Sequence, residues 1–379
     1  MNVVVVGAGI FGVTAALELR ARGLDVTLVD GGPIPNPLAE STDLSKAVRA
    51  DYGADEDYTA RMERALVKWR ESPFFHETGV MYLSRAPMAP GGFEHDSFQV
   101  LTRRGHALQR ITPQELRARF PAWNPELFVD GYFNPEGGWA ESGRVVAALA
   151  AEAKARGVRV VENARCEALR LRGDEIVGVG DLDAEHVVLC SGAWTTKLVP
   201  SLAGCFTASG QPVFHLKPAQ PSRFEAAVFP TYGADIATTG WYGFPMHPSG
   251  VLKIANHGPG RVVDPDETNR AVLPSQETSL RDFLKLAFPE LHSAPIVATR
   301  TCIYCDTRDG HLWIARDPSR EGLTVAAGGS GHAFKFAPLL GGWIADAALG
   351  VANPELDKFR WRPEIAPQKS EEGARFVPS

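Results

Sequence analysis

The chain has 379 residues, 44% hydrophobic and 22% charged, with a net charge of −6. This is ordinary globular composition, long enough for roughly two or three domains around a large core. No long basic run is present, which argues against nucleic acid or anionic membrane as a partner.

No stretch approaches the length of a membrane span. Five cysteines, an odd and scattered set, do not form a disulfide framework. The apolar run Val3 to Val6 leads straight into a glycine turn. A secretory leader would need a basic start, a longer apolar run and a cleavage site, so a cytoplasmic protein is expected.

Val3 to Val6 are continuous and β-branched, which suits a parallel strand buried on both faces. Gly7, Gly9 and Gly12 then fit G-x-G-x-x-G. Apolar residues at helical spacing follow (Phe11, Ala15, Leu19), Gly23 ends the helix, and "DVTLV" is a second strand closed by Asp30. Gly7 allows a tight turn, Gly9 lets backbone approach a pyrophosphate, and Gly12 lets the helix pack on the strand. The helix N–H groups then face the phosphates, with Ile10 and Phe11 at its entrance. Asp30 is placed to accept hydrogen bonds from a ribose. Strand, glycines, helix and acid in this order indicate a dinucleotide site, which NAD and FAD satisfy alike.

The segment "NPLAESTDLSKAVRADYGAD" reads as an extended loop or a short helix. "DYTARMERALVKWRES" is an amphipathic helix and "ETGVMYLS" a strand. "ITPQELRARF" is a helix with a capping box of Thr112 and Glu115 and with Pro113 in its first turn. A helix "RVVAALAAEAKARG", a strand "VRVVE" and a strand "AEHVVLCSGAW" suggest that the dinucleotide domain resumes after an insertion. From Gln211 to Ile303 alternating strand-like pieces and one helix near "TSLRDFLKLAF" predict a mainly antiparallel sheet, the expected substrate platform. "LTVAAGGSGHAFKFAPLLGGWIADAALG" is a strand, a glycine loop and a long helix. The fold class expected is α/β, a Rossmann-like domain interleaved with an antiparallel substrate domain. The first comprises residues 1–80, 142–210 and 300–362, the second 81–141 and 211–299, and a tail follows over 363–379.

"RTCIYCDT" places Cys302 and Cys305 in C-x-x-C spacing. A structural zinc site would want two such pairs, and the other cysteines are not suitably spaced; no metal is expected. A reactive dithiol would sit at a helix N-terminus, whereas "TCIYC" reads as a strand in which Cys302 and Tyr304 share one face and Cys305 points away.

"TCIYCDT", "GGSGHAFKF", "WYGFP" and "LKIANHGPGRVVDPDETNR" together resemble the monomeric sarcosine oxidase and fructosyl-amino-acid oxidase (amadoriase) group of D-amino-acid-oxidase-like flavoproteins. The likeness runs over nearly the whole chain. It implies FAD as cofactor, bonded to the sulfur of Cys302, with Ser41, Thr42, Ser191, Gly192, Trp194 and the loop Gly328, Gly329, Ser330, Gly331, His332 among its contacts. It implies oxidation of a small amino-acid-derived amine, an imine that water hydrolyses, O2 as acceptor and hydrogen peroxide as product, by a monomer. Lys253 would be the fixed cation that eases electron transfer to oxygen. Arg49 and Lys335 would clamp a substrate carboxylate, Lys335 also touching the cofactor. Tyr242 and His257 would shape the pocket.

Lys46 stands where sarcosine oxidases carry arginine and amadoriases lysine, and "DLSK" keeps the amadoriase spacing. Arg49 and "NHGPGRVVDPDETNR" look more like sarcosine oxidase, and saccharopine and pipecolate oxidases share a similar "VRADY". Glycated amino acids are therefore placed slightly ahead of N-methyl or cyclic ones. Two other classes stay open: a nicotinamide-dependent dehydrogenase, and a flavin subunit that only passes electrons.

Overall fold

The structure, a computed structural model, describes residues 1–267 and 269–367. A six-stranded sheet runs in the order Trp313–Arg316, Leu323–Ala327, His186–Leu189, Asn2–Val6, Asp25–Val29, Arg159–Val161. Its neighbours are parallel except for the antiparallel pair at the Trp313–Arg316 edge. Val3 and Val5 belong to one apolar cluster, with the helices Ile10–Ala21, Ser142–Ala155 and Ala337–Leu349. Val4 and Val6 belong to another, with Ile176, Leu202 and Trp313. The first strand is thus buried on both faces, as its unbroken valine run predicts.

A nine-stranded sheet stands beside it. Its order is Arg261–Val262, Phe206–Leu216, Leu252–Asn256, Trp241–Gly243, Thr231–Ala234, Val80–Ser84, Asp130–Asn134, Gln109–Arg110, with Ile296–Thr307 also paired to Phe206–Leu216. Only Thr231–Ala234 with Val80–Ser84 is parallel. The helix Pro274–Ala287 buries Leu280, Phe283 and Leu284 in one cluster with Phe214, Trp241 and Ile254 of the sheet. Residues 210/211 and 299/300, where the domain boundaries are expected, fall inside two long strands paired to each other.

The helices Glu56–Trp69, Pro113–Arg119 and Ser142–Ala155 stand where the pattern places them. At Thr112 the capping box forms: the Glu115 N–H donates to Thr112 Oγ1 at 3.3 Å, and the Thr112 N–H to Glu115 Oε2 at 2.9 Å. Two features depart from expectation. The helix Phe93–Arg103 was not foreseen. The presumed loop or helix after residue 35 contains the strand Lys46–Arg49, paired with Gly137–Ala140. Glycine eases that pairing: Gly137 has φ +143°, and a Cβ there would lie 3.0 Å from the Val48 carbonyl oxygen. No helix among the described residues is long and apolar enough to cross a membrane. Of the expected tail, residues 368–379 lie outside the described residues.

Candidate active site

Where the parallel strands end, a cavity of about 420 Å³ opens against Val6, Val29, Cys190 and Ala327. Binding at strand C-termini is the rule for open α/β sheets. Gly7 has φ +97°, and a Cβ there would lie 2.5 Å from the Cys190 carbonyl oxygen. A Cβ on Gly12 would lie 1.7 Å from the Gly7 carbonyl oxygen. Only glycine lets the turn, the neighbouring strand and the helix start converge here. The Asp30 carboxylate is fixed by three N–H donors: Ala8 at 2.8 Å, Gly32 at 2.9 Å and the Asn36 amide at 2.8 Å. The Ile10 N–H, in the first helical turn, donates to Ser41 Oγ at 2.9 Å.

Of the expected cofactor contacts, Gly7, Gly9, Ile10, Phe11, Asp30, Ser41, Ser191, Gly192, Trp194, Gly328, Gly329 and Gly331 line this cavity. Gly12, Thr42, Cys302, Ser330, His332 and Lys335 do not. Gly12 lies beneath the turn. Ser330, at φ +45°, braces the glycine loop: its N–H donates to the Cys305 carbonyl at 3.0 Å, and its Oγ accepts from the Thr307 N–H at 3.2 Å. His332 donates from Nε2 to the Gly310 carbonyl at 2.9 Å and meets the Tyr52 hydroxyl at Nδ1, 3.0 Å away.

A smaller cavity of about 60 Å³ adjoins the first, sharing Lys46, Gly331 and Phe334 with it. Arg49, Tyr242, His257, His332 and Lys335 line it, brought together from segments far apart in sequence. Arg49 is buried, with its guanidinium 5.4 to 5.5 Å from the ring centres of Tyr52, Tyr82 and Phe93. The buried Lys335 ammonium lies 4.4 Å from the Tyr52 ring centre. His257 Nδ1 is 3.5 Å from the Tyr304 hydroxyl. Burial pushes the Tyr242 hydroxyl up to about 12 despite the opposing charge of Lys46, so it is neutral at ordinary pH.

Lys46 Nζ lies 3.9 Å from Cys302 Sγ. Burial presses the lysine down, but Cys302, Tyr242, Glu40 and Asp43 outweigh it and leave the group raised, hence charged. Cys302 is buried with Val213, Ala255 and Tyr304, whereas Cys305 joins the opposite cluster and faces the larger cavity. Burial drives the Cys305 thiol well above its ordinary range. The two cysteines point to opposite faces of one strand, which breaks the pair as a chelate or dithiol.

Lys253 lines neither cavity. It is 2% exposed, and its ammonium lies 2.6 Å from Asp43 Oδ2 and donates to the Ser45 carbonyl at 2.6 Å. Burial lowers it to about 8, with Asp43 opposing and Lys46 reinforcing that effect. Asp43 is held well below the carboxylate range: desolvation works against its charge, but Lys253, His215, Arg300 and Lys46 together prevail.

Residues 2–347 match the family described as FAD dependent oxidoreductase. The chain belongs to that family. Among curated relatives, monomeric sarcosine oxidase of Streptomyces avermitilis is 30% identical over 92% of this chain and 93% of its own. Monomeric sarcosine oxidase of Bacillus sp. is 27% identical over 94% of this chain and 95% of its own. The crystal structure of fructosamine oxidase (amadoriase II) from Aspergillus fumigatus superposes with a TM-score of 0.87 at 23% identity, covering 99% of this chain and 93% of that one. This last likeness supports the α/β fold with mixed and antiparallel sheets.

The residues present fit the FAD of this oxidoreductase family. The glycine turn leaves room only for backbone, Asp30 is oriented by its donors, and Thr42 Oγ1, beside cavity-lining Ser41, is buried without a hydrogen-bond partner. Sequence reading missed several neighbours of the site. Asp266 lines the larger cavity, accepts from Trp194 Nε1 at 2.8 Å and pairs with Arg165 at 2.8 Å. Tyr304 and Tyr82 line the smaller cavity. The signal for Tyr304 was available, because it alternates with Cys302 along one strand. Asp266 and Tyr82 carry no local signal.

Proposed function

We propose that this protein is a flavin-dependent oxidase of N-substituted amino acids, acting as a cytoplasmic monomer. The observation that carries the reading is the pair of adjoining cavities: a glycine-cradled one, and a smaller one holding Lys46, Arg49 and Lys335, with Lys46 in the wall they share. Bound FAD supplies a two-electron acceptor for the C–H beside nitrogen and passes those electrons to O2.

The chain's own residues orient and charge the site. Arg49 and Lys335 hold the substrate carboxylate, the first as a planar fork and the second as a point charge. Tyr242 and His257 bound the space beside them. Lys253, held against Asp43, is the fixed cation near the point of oxygen reduction. Cys302 is the proposed sulfur anchor for the flavin; acid denaturation that releases all the yellow colour from the polypeptide would refute this.

Glycated amino acids are the first substrate class proposed, on Lys46 and its spacing from Asp43. Sarcosine, other N-methyl amino acids and cyclic amino acids are the second. The small volume near Arg49 and Lys335, and sarcosine oxidases among the curated relatives, favour that second class. Peroxide release in air against sarcosine, fructosyl-glycine, fructosyl-lysine, pipecolate, proline and saccharopine tests both. Turnover of one class with silence from the other decides between them. Silence throughout from a flavin-bearing protein sinks the oxidase.

A further inference from the structure

Lys253 does not have its counter-ion to itself. His215 and Lys253 sit directly opposite each other on the antiparallel strands Phe206–Leu216 and Leu252–Asn256, so their side chains leave the same face of the sheet. Both reach Asp43. Lys253 Nζ lies 2.6 Å from Oδ2, and His215 Nε2 lies 3.6 Å from Oδ1. His215 Nε2 is buried, and its contact with Asp43 helps keep that carboxylate charged. The imidazole as a whole keeps 13% side-chain exposure, against 2% for both Lys253 and Asp43. Of these three side chains, His215 is the most exposed.

Asp43 itself cannot shift to suit each partner. Its Oδ1 accepts from the Leu44 N–H at 2.7 Å, its N–H donates to Ser142 Oγ at 3.2 Å, and its carbonyl accepts from Ser142 Oγ at 2.8 Å and the Gly143 N–H at 3.0 Å. The other charged or titratable groups around the trio are few. Arg300, on Ile296–Thr307, and Lys46 act on Asp43, and Lys46 and Cys302 act on Lys253. His247 is electrostatically linked to His215 and also to Glu141, His76 and Arg144. Ala298, opposite His215 on the Ile296–Thr307 strand, carries no charge.

We infer that His215 is a positioning residue for Lys253: the two share the Asp43 carboxylate, so a proton on His215 weakens the hold of Lys253 on its own. A single fixed carboxylate flanked by two protonatable nitrogens binds the second proton less readily than the first, because each positive charge raises the cost of the other. The coupling is reciprocal by linkage: what His215 does to Lys253, Lys253 does to His215. Functionally, sharing Asp43 with His215 lowers the pH above which Lys253 gives up its proton, and with it the pH above which the cation that serves oxygen reduction is lost. This consequence rests on the proposed role of Lys253; the coupling itself does not.

The test uses the full flavin-bearing chain with lysine labelled at Cε by carbon-13, read by NMR across pH. The expected main Lys253 inflection lies at higher pH in H215Q than in wild type, because Asp43 then serves Lys253 alone. D43N drops the main inflection to lower pH. Where H215Q fails to fold, K253M supplies the reciprocal reading: the His215 imidazole signal must move to a higher midpoint once the competing ammonium is gone. Superimposable Lys253 curves in wild type and H215Q, or an unmoved His215 curve in K253M, would overturn the inference. If the coupling is seen but K253M reduces oxygen at the wild-type rate, the role proposed for Lys253 falls and the functional consequence with it.

Discussion

The two cavities are built by different means. The larger one is organised by backbone turns, a glycine turn, a helix start and a second glycine loop, each within a dozen residues of sequence, with side chains such as Trp194 and Asp266 completing its wall. The smaller one is walled by side chains from Lys46, Arg49, Thr231, Tyr242, His257 and Lys335, which only the completed sheets bring together. At Gly7 and Gly12 the backbone turn has no room for an added atom, whereas a side-chain-built site tolerates substitution and changes its chemistry. The first should fail by losing the cofactor or the fold, the second by losing rate or affinity with the fold intact.

The sharpest way to break that contrast is Gly12→Val. Its Cβ would meet the Gly7 carbonyl oxygen at 1.7 Å, an overlap worth more than about 4 kcal/mol against the fold. Soluble yield and bound flavin should both collapse; a stable, yellow G12V protein would contradict the backbone account.

Next in size is K253M. Removing one preorganised charge from a water-poor site ordinarily costs ~100-fold or more in the step it serves. Stopped-flow mixing of the reduced enzyme with oxygen should show that loss, while anaerobic reduction by substrate changes little. Equal effects on both half-reactions would mean that Lys253 is structural.

K335M and R49K probe the clamp. Loss of a charged hydrogen bond of about 1.5–3 kcal/mol weakens binding about 10- to 150-fold. K335M should therefore raise KM for amino-acid substrates, and much less for their amides or esters. R49K keeps the charge but loses the fork, so its loss should be smaller. An unchanged ratio of acid to amide would remove the clamp.

The smallest effect expected is on pH. Burial depresses Lys253 to about 8, so the ammonium persists below that value and is lost above it. Oxygen reduction should accordingly fall as pH rises through about 8. A rate that is flat or climbs across that window points to another group.

What could be read from sequence follows the same division. Gly7, Gly9, Gly12 and Asp30 were legible because a turn, a helix entrance and a strand end are local events with local steric demands. The Thr112–Glu115 cap is local as well. The strand Lys46–Arg49 was not, because four residues of mixed polarity show no periodicity and pair with a distant strand whose Gly137 lies against Val48 and Arg49. Asp43 was seen as part of "DLSK", yet its contact with Lys253 joins residues more than two hundred positions apart. Lys253, Arg49 and Lys335 became candidates through family resemblance, since a single cation in a strand or loop is ordinarily a solvated one. Their burial is a tertiary property.

The central claim is that the smaller cavity presents an N-substituted amino acid to the flavin of the larger one. The most direct test is anaerobic mixing of the yellow protein with sarcosine, fructosyl-glycine and pipecolate, following flavin absorbance. The account predicts that at least one of these bleaches the flavin and that NADH and NADPH do not. Bleaching by a nicotinamide with none by any amine would contradict it.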